Sequence, residues 1–259
     1  MKITLLQQNV VWTDWRQNLR NADEAIGRHP GADLYVLPEM FSTGCCTRPE
    51  EVVRSEGGET LRWMKRKAAE MDAAVAGSVA VEEVGKYYNR FCFVKPDGQV
   101  VTADKRHLFS YGGENRCYTA GRERTVTEFR GVRILLLVCY DLRFPVWSRN
   151  RDDYDLAIYV AAWPAVRIEV WNTLLRARAI ENQCYVAGVN RVGSDPVCEY
   201  SGGTQLVDAF GKVVASCPDG TEGAVEARLD LKRLKTFRRK FPVLDDADCF
   251  EALNADMNE

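Results

Sequence analysis

Apolar residues recur along this chain in two alternating rhythms. Nearly continuous apolar runs at Ile3 to Gln7, Leu34 to Leu37, Ala74 to Val81, Tyr87 to Val94, Val132 to Val138, Leu156 to Ala161 and Tyr185 to Asn190 predict strands. Several are apolar on successive residues, as strands covered on both faces are. Between them the spacing changes to that of helices: Trp15, Leu19, Ala22 and Ile26 share one face, as do Leu61, Met64, Ala68 and Met71. A later helix is predicted over Ile168 to Asn182, entered through the turn at Trp163-Pro164. Turns at Pro96-Asp97-Gly98, Ala209-Phe210-Gly211 and Pro218-Asp219-Gly220 separate shorter strands, two of them as hairpins. Strand and helix alternate, so the fold class is α/β.

The 259 residues, 46% of them hydrophobic, are enough for one large core, so a single domain over 1–259 is expected, closed by a C-terminal helix and tail at 231–259. A net charge of −2, from 35 basic and 37 acidic residues, provides no field to gather nucleic acid or an anionic membrane, and neither is expected as a partner. The segment Leu231 to Phe241 carries six Lys or Arg residues and reads as the solvated face of a terminal helix, opposed by an acidic stretch from Asp245 to Glu259. No run reaches the roughly 20 apolar residues of a membrane span. The first residues read as a strand rather than a secretory leader, and nine Cys without a Cys-x-x-Cys pair suit a reducing compartment, so the cytoplasm is expected.

Three polar side chains stand at or just past the ends of strand-like runs: Glu39 in Leu37-Pro38-Glu39, Lys105 in Asp104-Lys105-Arg106, and Cys139 in Val138-Cys139-Tyr140-Asp141-Leu142-Arg143-Phe144-Pro145. Strand ends are where open α/β sheets keep their chemistry. A free thiol has a pKa of about 8.5, and a neighbouring Lys105 ammonium is expected to lower it and to stabilise an oxyanion. The backbone N–H of Tyr140 is the second oxyanion donor, and Glu39 is the acid and base. Glu114, after Gly112-Gly113, is the candidate second carboxylate. Taken singly, each residue has an ordinary reading: a small core Cys, a helix-capping or surface Glu, a solvated Lys.

Taken together, these blocks resemble the nitrilase superfamily of carbon–nitrogen hydrolases. The resemblance extends through Trp163-Pro164, Arg167, Trp171, Ala177 to Asn182, Tyr185-Val186-Ala187 and Asn190 to Gly193, and covers roughly Ile3 to Leu229. It implies a four-layer αββα sandwich that forms a homodimer through the helices after the Cys and Trp-Pro blocks. It also implies catalysis by Glu39, Lys105 and Cys139, with Glu114 as a fourth member and Glu123 in reserve for that place. The segments Glu39 to Gly44, Lys105 to Phe109 and Arg143 to Asn150 look most like bacterial ω-amidases, which release ammonia from small 2-oxo acid amides such as 2-oxoglutaramate and 2-oxosuccinamate. A superfamily amidase for carbamoyl amines or peptide-like amides, a non-catalytic binding dimer of this fold, and a redox thiol protein are the alternatives.

Arg143 is a candidate clamp for a substrate carboxylate or an internal ion-pair partner of Asp141 or another acid, and the sequence leaves both open. Phe109 and Trp163 are candidate pocket walls, with core packing as the ordinary reading of each. Of the two His residues, His107 is expected to share a strand face with Lys105 in a structural role. With so few His and no paired thiols, no metal and no cofactor is expected. The expected ligands are a small amide and water.

Overall fold

The computed structural model describes residues 1–248. In chain order the elements are β1 (Lys2–Gln7), α1 (Trp15–Arg28), β2 (Leu34–Val36), α2 (Pro49–Glu56), α3 (Glu59–Met71), β3 (Ala74–Glu83), β4 (Lys86–Val94), β5 (Val100–Asp104) and β6 (Val126–Phe129). There follow β7 (Val132–Val138), α4 (Pro145–Ser148), β8 (Leu156–Ala161), α5 (Ile168–Glu181), β9 (Tyr185–Asn190), β10 (Val192–Ser194), β11 (Glu199–Ser201), β12 (Gln205–Val207), β13 (Val213–Ser216), β14 (Gly223–Arg228) and α6 (Leu231–Lys240).

Twelve of the strands form two six-stranded sheets, ordered β14-β1-β2-β3-β4-β5 and β13-β12-β9-β8-β7-β6. Each has three parallel strands at its centre and antiparallel strands outside them. Strand alternation explains how the sheets stack. Ile134, Leu136 and Val138 of β7 and Ile158 and Val160 of β8 point inward, where they meet Leu5, Val36, Ala76 and Phe93 of the first sheet. Leu135, Leu137 and Tyr159 point outward against Trp171 and Leu175 of α5. On the opposite outer face Leu6, Tyr35 and Val75 pack against Leu19 and Ile26 of α1 and Met64 of α3. The layers are therefore helix, sheet, sheet, helix. Close approach of α5 to its sheet depends on Gly188, where an added Cβ would lie 2.5 Å from Leu175 Cδ1 and 2.8 Å from Trp171 Cζ2.

The C-terminal helix departs from the expected solvated face at one position. Arg238 of α6 is largely buried: Nη1 donates to Asp155 Oδ1 at 2.9 Å, Nη2 to the Tyr154 carbonyl at 2.7 Å, and Nε to the Gln183 carbonyl at 2.9 Å. Asp155, buried at the start of β8, needs this cation together with Arg133, which bonds it at 2.9 Å. The expected tail beyond residue 248 lies outside the described residues.

Candidate active site

Glu39 and Lys105 follow β2 and β5 of one sheet, and Cys139 follows β7 of the other, so the site is assembled across the sheet-to-sheet core. Lys105 Nζ donates to Glu39 Oε1 at 2.9 Å and to Glu114 Oε2 at 2.8 Å and Oε1 at 3.0 Å. Glu39 and Lys105 are 2% and 3% exposed, so these charges are satisfied by one another rather than by water. Asn89 Nδ2 bridges the two carboxylates, at 2.7 Å from Glu39 Oε1 and 3.3 Å from Glu114 Oε1. The Ala162 N–H, just past β8, donates to Glu39 Oε2 at 2.9 Å, and the Phe109 N–H donates to Glu114 Oε2 at 2.7 Å. Burial disfavours the Lys105 ammonium, but Glu114 and Glu39 overcome it and raise its pKa well above the usual Lys range.

The backbone at the thiol is unusual. Cys139 has φ +44°, in the left-handed region that a residue with a side chain occupies only when its surroundings enforce it. Asp141 supplies the restraint: Oδ2 accepts the Val138 N–H at 3.0 Å and Oδ1 accepts the His107 N–H at 2.9 Å. His107 Nδ1 lies 2.8 Å from the same Oδ1, and its ring stacks on Phe144 at 3.7 Å. His107 follows the end of β5 rather than lying on a strand face with Lys105, and it braces the Cys139 turn. Asp141 is committed to this brace, so the pairing of Arg143 with Asp141 is not formed. Glu39 is also followed by a left-handed residue, Met40 at φ +44°, whose N–H donates to Ser78 Oγ at 3.0 Å. Phe41 of that turn packs over Gly77, where a Cβ would sit 2.9 Å from its ring.

Burial, and next the Glu39 carboxylate, push the Cys139 thiol well above its usual pKa against the opposing pull of Lys105. The expected lowering by Lys105 is thus outweighed: Lys105 is neutralised by two carboxylates and cannot hold a resting thiolate. The arrangement instead suits a thiol that loses its proton to a neighbouring carboxylate as it attacks.

Cys139, Glu39, Lys105, Glu114, Phe109, Tyr140, Arg143 and Trp163 all line one cavity of about 410 Å³. Glu123 is exposed and outside it. Trp163 forms a wall, with its N–H held by Asn190 Oδ1 at 2.7 Å and Nε1 donating to the Arg167 carbonyl at 2.8 Å. The Arg143 guanidinium lies 5.2 Å from the Trp163 ring centroid. Phe109 meets Tyr140 edge-on at 5.1 Å. Asn89 is not singled out by the sequence, and Arg167 is named there only within the resemblance, without a site role. Asn89 is fully buried in β4, and the available signal was one amide inside the apolar run Tyr87 to Val94. Arg167 also lines the cavity. No group of three or more His, Cys, Asp or Glu among the described residues is placed to hold a metal ion.

A sandwich of two sheets with a Glu, a Lys and a Cys meeting at their strand ends defines a hydrolase architecture, and comparison with known families agrees. Residues 2–239 match the carbon–nitrogen hydrolase family model, and the chain belongs to that family. It is 48% identical over 251 residues to the omega-amidase YafV of Yersinia enterocolitica, covering 96% of this chain and 98% of that one. It is 35% identical to a 2-oxoglutaramate amidase of Bacillus subtilis, covering 94% and 96%. Among solved structures, XC1258 of Xanthomonas campestris, a CN-hydrolase superfamily protein with an arsenic adduct in its active site, superposes with a TM-score of 0.92. The two are 39% identical, with 97% and 98% coverage.

Proposed function

We propose that this protein is an ω-amidase that hydrolyses the terminal amide of small 2-oxo acid amides, such as 2-oxoglutaramate and 2-oxosuccinamate, to ammonia and the dicarboxylate. The observation that carries the reading is the Glu39–Lys105–Glu114 ion cluster opening, beside Cys139, onto a cavity that also holds Arg143, which has no carboxylate partner among the described residues. Similarity to omega-amidases over nearly the whole chain supports the substrate class.

In this mechanism the Cys139 sulfur attacks the amide carbon while Glu39 takes the thiol proton. The oxyanion is held by Lys105 and by the Tyr140 N–H, which lies in the first turn of the short helical segment Cys139–Arg143 and has no helical acceptor. Glu39 then gives the proton to the departing nitrogen, so ammonia leaves and a thioester remains. A water molecule, deprotonated by Glu39, attacks the thioester; the carboxylate product departs and the thiol is restored. Glu114 and Asn89 fix Lys105 and Glu39 in position. Each positioned donor or acid–base group contributes about 10²- to 10³-fold. Arg143 binds the substrate carboxylate, with Trp163 and Phe109 as walls.

In this reading the chain acts as one catalytic domain in the cytoplasm, a compartment that keeps cavity thiols such as Cys45, Cys139 and Cys198 reduced. It works as a homodimer through α4 and α5, the helices that follow the Cys139 and Trp163 segments; Val146 on α4 and Ile180 on α5 are 58% and 55% exposed. Ammonia release from 2-oxoglutaramate tests the function. Cys139→Ala is expected to lower it by at least about 10³-fold with an unchanged circular dichroism spectrum. A folded variant that keeps its turnover contradicts the mechanism.

A further inference from the structure

The acids and cations of the cavity do not balance. Glu39 and Glu114 are committed to Lys105. The third acid, Asp195, accepts the Tyr200 hydroxyl at 2.6 Å and the N–H groups of Val197 and Cys198 at 2.8 Å. Among the cations, Arg48 is paired with Glu51 at 2.9 Å. Arg143 and Arg167 have no acid within ion-pair distance among the described residues; each lies over an aromatic face instead, Arg167 at 5.3 Å from the Phe109 ring centroid. Arg167 is anchored from behind. Its N–H donates to the Pro164 carbonyl at 3.0 Å, and its own carbonyl accepts Trp163 Nε1. The same Trp163 that carries Arg143 on its ring therefore holds the backbone of Arg167.

Stacking on a ring leaves the N–H edge of a guanidinium free to donate. Two such edges lining one cavity, beside Trp163 and Phe109, suit a ligand with neighbouring acceptors and no positive charge. A 2-oxo acid presents that pattern, a carboxylate beside a carbonyl oxygen. An amino acid amide presents an ammonium at the same carbon, which meets two cations and no uncommitted carboxylate.

We infer that Arg167 is a specificity-determining residue that donates a hydrogen bond to the 2-oxo oxygen of the substrate while Arg143 holds the neighbouring carboxylate. The inference rests on the proposed ω-amidase function and extends it to how the enzyme separates oxo acid amides from amides lacking that oxygen. Glutaramate, which keeps the amide and carboxylate of 2-oxoglutaramate but lacks the 2-oxo group, isolates the contact.

The experiment compares kcat and KM for both substrates in the wild type and in Arg167→Gln, Arg167→Lys and Arg143→Gln. Losing a hydrogen bond from a charged donor should lower the ratio of kcat/KM for 2-oxoglutaramate over glutaramate by about 10- to 100-fold in Arg167→Gln, mainly through KM. Arg167→Lys should recover part of the ratio. Arg143→Gln should weaken both substrates together and leave the ratio close to that of the wild type. A ratio unchanged in Arg167→Gln, whether both activities fall or neither does, overturns the inference while the amidase reading stands. A folded wild type that releases ammonia from neither substrate overturns the amidase reading and this inference with it.

Discussion

At the scale of single residues, the charge placed around Cys139 decides how the site works. The thiol is held protonated because burial and the Glu39 carboxylate both act against a thiolate, and Lys105 is already neutralised by two acids. The sign of this arrangement can be tested by removing the Glu39 charge. Glu39→Gln is expected to lower the Cys139 pKa, so alkylation by iodoacetamide at neutral pH should become faster. Turnover should fall by about 10²- to 10⁴-fold in the same variant because the acid and base is gone. Slower alkylation would show that Glu39 does not raise the thiol's pKa. Glu39, Lys105 and Cys139 were legible in the sequence because each sits at the end of an apolar run, where a polar residue stands out. The settings of Asn89 and Asp141 were not. Asn89 is one polar residue inside a strand, and the partners of Asp141 depend on a turn at positive φ that no spacing rule reports.

At the scale of elements, legibility followed apolar content. The bounds of β7, β8 and β9 coincide with the predicted runs because those strands are buried on both faces. Helix α2 and the strands β6, β10 and β11 have no counterpart among the predicted elements, and β5, β12, β13 and β14 are implied only by the turns that separate them, without bounds. Strand β14 has Val225 as its one buried residue, and α2 buries few apolar positions, so neither carries a clear period. The basic run in α6 was read as solvated because sequence alone does not reveal that Asp155 lies beneath it. Burial works against the Asp155 carboxylate, yet Arg133 and Arg238 hold its pKa below the usual Asp range. Arg238→Ala is expected to destabilise the protein by about 3 kcal/mol in urea titrations near neutral pH. A carboxyl depressed in the folded state contributes stability that is complete above its unfolded pKa of about 3.9 and lost as pH falls through the folded value. The gap between wild type and variant should therefore narrow in that acid range. A gap independent of pH would place the helix's stability elsewhere than in this ion pair.

At the scale of the whole molecule, the two sheets contribute different halves of the chemistry. One holds the carboxylate and ammonium and the other the thiol, joined by the Ala162 N–H bond to Glu39. Site geometry therefore depends on the inter-sheet core, in which Val36, Ala76, Val138 and Val160 meet directly beneath the catalytic strand ends. The proposed dimer adds a requirement at the same scale, because α4 and α5 follow directly on the Cys139 and Trp163 segments. Sedimentation should report a dimer for the wild type, and Val146→Asp combined with Ile180→Asp should shift it to monomer with reduced turnover. A wild type that sediments as a monomer at micromolar concentration would contradict that assembly.

The central claim is a thioester on Cys139 formed from a 2-oxo acid amide, and the most direct test is intact-protein mass spectrometry after rapid acid quench during turnover of 2-oxoglutaramate. The expected result is an adduct equal to the substrate less ammonia, located on the peptide containing Cys139 and absent from Cys139→Ala. Steady ammonia release by the wild type with no adduct at any quench time, or with the adduct on another residue, would contradict it.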